Sequence, residues 1–229
     1  MTARYALADV AALVGEPTRA AILLALLDGR ALPAGELAAH ARLSAAATST
    51  HLAKLTQGGL LTVHAEGRHR YYRLASSDVA HALESLGAIA TAPPAPTTDP
   101  ARLALREART CYDHLAGAVA VSLARRLEDE GVLRSRGERA YDVTPRGVDW
   151  FASALGIDVP ALALGRRVLA RRCLDWTERR PHVAGALGAA ILTRMLDLRW
   201  AKRSLGSRAV ELTPRGHEAL ARLGLRKTG

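Results

Sequence analysis

The chain has 229 residues, room for one large domain or two small ones, and its 49% hydrophobic, 24% charged composition suits a folded globular protein. Aromatic residues make up only 4%, so the interior has to be built from Leu, Ala and Val. A formal net charge of +10 favours polyanionic partners, nucleic acid first, and no uninterrupted apolar run approaches the roughly 18 residues of a membrane span.

The charge is uneven: residues 1–90 carry a net +1 and residues 91–229 a net +9. Cys111 and Cys173 are the only cysteines, too few for a disulfide scaffold. The segment after Met1 lacks the long apolar centre of a secretion signal, so a cytoplasmic, reducing location is expected.

In chain order, Ala6 to Val14 predicts a short apolar helix. Glu16-Pro17-Thr18-Arg19 opens the next, with Pro17 in its first turn, Ile22, Leu23, Leu26 and Leu27 on one face, and Asp28-Gly29 as its stop. Pro33 to Ala41 predicts a third helix with Leu37 inward. Ser44 is an N-cap for a fourth, running to about Gln57 and ended by Gly58-Gly59, with Thr48, Leu52 and Leu55 facing inward. Leu60 to His64 and Tyr71 to Leu74 are strand-like, turned by Glu66-Gly67-Arg68, and alternation puts only one of Tyr71 and Tyr72 toward the core. Ser76 or Ser77 can cap a last helix reaching Ile89. The stretch Thr91 to Pro100 has four prolines in ten residues, which breaks helix and marks a domain boundary.

Beyond it lies an internal duplication. The first unit contains Cys111-Tyr112-Asp113, His114-Leu115-Ala116-Gly117-Ala118 and Val143-Thr144-Pro145-Arg146-Gly147. The second contains Cys173-Leu174-Asp175, His182-Val183-Ala184-Gly185-Ala186 and Leu212-Thr213-Pro214-Arg215-Gly216. Each predicts helix, helix, hairpin, helix, with Thr-Pro as an N-cap and first-turn proline, and two such units are expected to pack about a pseudo-two-fold axis. The expected architecture is mainly α with small β-hairpins (α+β). It has a winged helix-turn-helix at 1–90, a linker at 91–99, and two tandem winged-helix-like repeats at about 100–158 and 159–229.

Residues 6–75 resemble the DNA-binding domain of the ArsR/SmtB family. The resemblance rests on Gly15-Glu16-Pro17-Thr18-Arg19, Gly35-Glu36-Leu37-Ala38, Leu43-Ser44, Ser49-Thr50-His51-Leu52, Leu55, Gly59-Leu60-Leu61 and the run Glu66 to Leu74. It implies a homodimer that reads an inverted repeat in double-stranded DNA and represses transcription until an effector releases it. On that reading Ser49 and Thr50 present small groups to the major groove, Ser44 and His51 meet phosphates, and Arg68, His69 and Arg70 form the wing contacts. The family usually shows Thr-Val before the serine matched by Ser49; here Ala47-Thr48 stand there.

No cysteine occupies the helix before the fourth. Asp78, His81 and Glu84 recur at helical spacing, either as half of a zinc site or as a solvated polar face. The duplicated half is the stronger sensor candidate: Cys111, Asp113 and His114 match Cys173, Asp175 and, more loosely, His182. Thiol, carboxylate and imidazole converging at the repeat interface would suit a thiophilic metal, a redox signal or a small anionic ligand. The bland reading makes both cysteines buried packing and both aspartates partners of nearby arginines. Arg109, Arg171 and Arg172 are expected to favour thiolate. The sequence alone assigns no cofactor and no metal ligands. No nucleophile elbow or phosphate loop is present, so an enzyme domain fused to a helix-turn-helix, or an interaction protein that does not bind DNA, is the alternative.

Overall fold

The computed structural model describes residues 3–27, 29–67, 69–90, 98–205 and 207–225. Asp28, the wing residue Arg68, most of the proline-rich stretch (91–97) and the turn residue Gly206 lie outside them. The chain divides into two compact units, Met1–Glu84 and Ser85–Gly229.

The first unit holds α1 (Ala3–Val14), α2 (Pro17–Ala25), β1 (Leu32–Pro33), α3 (Ala34–Ala41), α4 (Ala45–Gln57), β2 (Leu61–Glu66), β3 (His69–Leu74) and the start of α5 (Ser77–Ala90). Local chemistry sets each boundary. The Glu16 carboxylate accepts from the backbone N–H groups of Thr18 and Arg19 at 3.0 and 2.9 Å, capping α2. Arg19 then reaches back to the carbonyls of Leu13 and Ala12 at 2.8 and 2.9 Å, closing the end of α1. Arg42, in the left-handed region at φ 54°, terminates α3. Ser44 caps α4 by accepting from the Ala47 N–H at 3.3 Å, and Ser76 accepts from Val79 N–H at the start of α5. Ile22, Leu23, Leu26, Leu37, Leu52 and Leu55 are fully buried and form the core of this unit together with Thr48.

The sheet order is β1-β3-β2, all antiparallel. The two-residue β1 was not expected, and it changes the tyrosines. Leu32 pairs with Tyr72 and Pro33 with Tyr71, so β3 is flanked on both edges and both tyrosines are half-buried, instead of one in and one out.

The second unit repeats one pattern twice. The first repeat runs α6 (Pro100–Glu107), β4 (Arg109–Cys111), β5 (His114–Ala116), α7 (Ala118–Asp129), β6 (Leu133–Arg136), β7 (Ala140–Val143) and α8 (Pro145–Leu155). The second runs α9 (Val159–Ala163), β8 (Arg171–Leu174), β9 (Pro181–Ala184), α10 (Gly185–Asp197), β10 (Ala201–Arg203), β11 (Val210–Leu212) and α11 (Pro214–Arg222). The expected order of helix, helix, hairpin, helix is therefore corrected: a second hairpin, β4–β5 or β8–β9, precedes the long helix of each repeat. These strands are only three or four residues long, β4 and β5 are buried throughout and β9 nearly so, and β8 is too short for its single buried residue, Cys173, to show the alternation that marks a half-exposed strand.

The repeats exchange edges. Strand β7 pairs with β8 through Ala140 and Arg171, with Tyr141 N–H donating to Ala170 O and Arg172 N–H to Arg139 O, both at 3.0 Å. In the mirror arrangement β11 approaches β4, with Val210 N–H donating to Ala108 O and Thr110 N–H to Arg208 O, both at 2.9 Å. Helix α7 packs on β9, and α10 on β5. One apolar core, from Leu115 and Leu127 through Phe151 to Leu187 and Ile191, runs through both repeats.

The two Thr-Pro-Arg-Gly motifs explain themselves in the same terms. Thr144 Oγ1 donates to Gly131 O at 2.7 Å and accepts from Gly147 N–H at 3.0 Å. Thr213 Oγ1 donates to Arg199 O at 2.7 Å and accepts from Gly216 N–H at 3.0 Å. The helix start is thus pressed onto the backbone entering the hairpin. A Cβ at Gly216 would collide with the Trp200 carbonyl, and one at Gly147 with the Val132 carbonyl. Gly216→Ala is expected to destabilise the unit by about 1–3 kcal/mol, seen as a lower urea midpoint, because the backbone itself has to move. An unchanged midpoint would refute the close approach.

Candidate nucleic-acid interface and a buried donor cluster

Helix α4 presents Ala45, Ala46, Ser49, Thr50 and Ala53 to solvent while Thr48, Leu52 and Leu55 fix it to the core. The Ser49 hydroxyl donates to the Ala45 carbonyl at 2.9 Å, lying against its own helix. Helix α3, the left-handed turn at Arg42 and the Ser44 cap deliver α4 as the second helix of a helix-turn-helix. Strands β2 and β3 pair from Leu61–Leu74 to Glu66–His69, and along β2 only Leu61, at the base, is buried. His69 and Arg70 are exposed near the tip. Ser49, Ala53, His69 and Arg70 line one open groove between α4 and the wing.

His51 sits elsewhere on α4. Its Nδ1 lies 3.2 Å from Glu16 Oε2, without the alignment of a hydrogen bond. The backbone N–H of Thr18, with that of Arg19 and the nearby His51, holds the Glu16 carboxyl at about 2. At the other end of this unit, Asp78 is exposed, His81 half-buried and Glu84 buried. Among the described residues these three do not form a donor group, and the expectation of a uniformly solvated face fails at Glu84.

The second unit brings together four of its six sequence-selected residues. Cys111, His114, Cys173 and His182 are buried, and one donor atom from each lies within 4.8 Å of all the others. The sulfurs are 3.9 Å apart and the two Nε2 atoms 3.1 Å. Hairpin register does this. Cys111 stands directly opposite His114 in β4–β5, and Cys173 directly opposite His182 in β8–β9. The loose sequence match of His182 is a difference of turn length alone.

The aspartates stand one layer out, behind the imidazoles. Asp113 Oδ1 is 3.3 Å from His114 Nδ1, and its other oxygen pairs with Arg167 at 2.7 Å. Asp175 Oδ2 is 3.5 Å from His182 Nδ1 and takes Arg109 at 3.0 Å and the Gly117 N–H at 2.7 Å. Its Oδ1 accepts from the Thr177 N–H and hydroxyl and from the Glu178 N–H, at 2.7 to 3.1 Å. Burial resists ionisation of Asp175, but the Arg109 guanidinium and these donors outweigh it and hold the carboxyl at about 2. Burial likewise disfavours a charged His114, and Asp113 and Cys173 outweigh it, raising the imidazole to about 9.

Two of the three arginines expected to activate the thiols, Arg109 and Arg172, are committed elsewhere. Arg109 is fully buried on Asp175 and Thr177 and stacks 4.7 Å from the Trp176 ring centre. Arg172 donates to the Gly137 carbonyl at 2.9 Å and lies over Tyr141. The sequence reading that makes Asp175 the partner of an arginine holds, but the arginine is Arg109, 66 residues away in the other repeat, and not a neighbour in the chain.

A helix-turn-helix domain family matches residues 14–64. The chain is 44% identical over 212 residues to the HTH-type transcriptional regulator YdfF of Bacillus subtilis, covering 92% of this chain and 93% of that protein. It is 46% identical over 81 residues to the HTH-type transcriptional regulator CmtR of Mycobacterium tuberculosis, covering 35% of this chain and 68% of CmtR. Among solved structures it is similar to HlyU of Vibrio cholerae, at 30% identity and a TM-score of 0.36 over 39% of this chain and 93% of that one. Among the described residues no helix is long and apolar enough to cross a membrane. With a regulator as relative along nearly its whole length and the helix-turn-helix and wing in place, the chain belongs to the ArsR/SmtB family of DNA-binding transcriptional regulators.

Proposed function

We propose that the chain acts as a homodimeric repressor. On this reading α4 enters the major groove, the wing meets the DNA backbone, and an effector sensed within residues 100–229 changes operator affinity. The observation that carries the DNA face is the shared groove of Ser49 on α4 with His69 and Arg70 on the wing. Small side chains at Ala45, Ala46, Ser49 and Thr50 let the helix backbone approach base edges, and Thr or Ala suits thymine methyl groups. Ser44, His51 and Arg68 are assigned to phosphate contact, which sets register without reading sequence.

Dimerisation is supported by apolar side chains left in solvent: Leu7 on α1 is 71% exposed and Ile89 on α5 is 80% exposed, more than a lone winged helix has reason to display. The effector reading is supported by the buried thiol–imidazole cluster. The domain assignment is a DNA-binding 1–90, a linker 91–99 and a sensing 100–229.

The test is a band shift on the DNA upstream of the chain's own gene, with the mass of the complex measured. Two chains per site are expected. Arg70→Ala should weaken binding to every sequence and reduce the slope of log K against log salt by about one per lost contact in each subunit. Unchanged slope and affinity would remove Arg70 from the interface.

A further inference from the structure

We infer that Cys111, His114, Cys173 and His182 form a tetrahedral binding site for one thiophilic divalent cation of the zinc kind, pinning the two repeats together. Metal–sulfur bonds of about 2.3 Å and metal–nitrogen bonds of about 2.0–2.1 Å, set tetrahedrally, require S···S and N···N edges of about 3.8 and 3.3 Å. The chain holds those atoms 3.9 and 3.1 Å apart. Two thiols and two imidazoles with this spacing are a soft, four-coordinate donor set, suited to zinc-like ions and unsuited to magnesium or calcium.

Three further features belong to such a site. Each imidazole directs Nε2 at its counterpart; His114 Nδ1 is hydrogen-bonded to Asp113, while His182 Nδ1 lies 3.5 Å from Asp175 without the alignment of a hydrogen bond. A carboxylate behind a histidine fixes the tautomer that leaves Nε2 as ligand. Both aspartates are balanced by their own arginines, Arg167 and Arg109. Binding converts the two thiols to thiolates and leaves both imidazoles neutral, releasing the thiol protons and the proton of the charged His114 to solvent, and two thiolates offset the charge of a divalent cation. The buried cluster therefore takes the ion without a net uncompensated charge. Finally, each repeat supplies one Cys–His pair from one hairpin, so an ion bound by all four joins segments 62 residues apart at the sulfurs. A cross-link of this kind gives the sensing half proposed above a ligand class, and on that regulatory point the inference rests on that proposal.

The experiment uses the full chain, reduced and stripped with chelator, titrated with cobalt(II) and then zinc(II). One equivalent of cobalt should bind per chain. It should give the visible ligand-field bands of tetrahedral coordination and a thiolate charge-transfer band, both lost when zinc displaces it. Cys111→Ser should abolish the charge-transfer band at equimolar metal. Asp113→Asn, which removes no ligand, should weaken affinity by about 10–100-fold with the same spectrum. A folded wild-type chain that takes up no cobalt or zinc overturns the inference. So does octahedral cobalt, or uptake indifferent to Cys111. Circular dichroism of each variant separates lost ligation from lost fold. Operator affinity measured with and without zinc is read independently: tight zinc binding with no change in DNA affinity leaves the site standing and defeats the sensing role.

Discussion

Asp175→Ala is expected to destabilise the second unit by about 3–5 kcal/mol, the usual cost of removing one partner from a buried ion pair. Arg109 would be left fully buried with its counter-charge gone, and the Gly117 and Thr177 N–H groups would lose their acceptor. Asp113→Ala is the internal control. It holds the matching repeat position, but its partner Arg167 is 48% exposed, so its loss should cost no more than about 1 kcal/mol. Urea unfolding of the two variants against the wild type measures the difference, and equal losses would refute the assignment. The same carboxylate predicts an acid limb. Its folded value is lowered from 3.8 to about 2, so its contribution is complete above roughly pH 5 and disappears as the pH falls through 4 toward 2. Asp175→Asn should flatten that limb.

The second large effect is on DNA. Thr50 is exposed on α4, nearly two turns from the Ser44 cap, and contributes nothing to the core. Thr50→Glu sets a carboxylate against DNA on the proposed face, and like-charge juxtaposition at an interface costs several kcal/mol. Operator affinity should fall by on the order of 100-fold, about 2.7 kcal/mol, with the urea midpoint unchanged. A band shift and an unfolding curve on one preparation decide it. Retained affinity would mean that α4 is not the helix in the groove.

These predictions divide along the line of what a linear reading could see. The winged helix is written in local chemistry: Glu16 and Ser44 as caps, Pro17 in a first turn, and Leu52 and Leu55 at helical spacing. Such features act within a few residues, and α4 begins and ends where Ser44 and Gly58 put it. The duplicated half was legible as a duplication, because Thr-Pro-Arg-Gly recurs with its function as a cap intact. Its short hairpins were not. Strands β4 and β5 are three residues each and buried throughout, so hydrophobic periodicity has nothing to register. The pairing of Arg109 with Asp175 spans 66 residues and leaves no local trace. His182 matched loosely for the same reason: spacing along the chain differs between the repeats, whereas position across the hairpin is the same.

The exchanged edges of the repeats have a kinetic consequence. Strand β4 gains its outer neighbour only when the segment around Arg208 arrives, 98 residues after Thr110. During synthesis the first repeat therefore waits with an open strand edge and half a core, while the winged helix ahead of it already has every contact of its own. Closure of the second unit is the slow, high-contact-order event, and the nascent chain is most exposed to mispairing just before α11 is complete. The DNA-reading half would then mature first, and the half that follows it would become a single folded body only once the segment around Arg208 has been made.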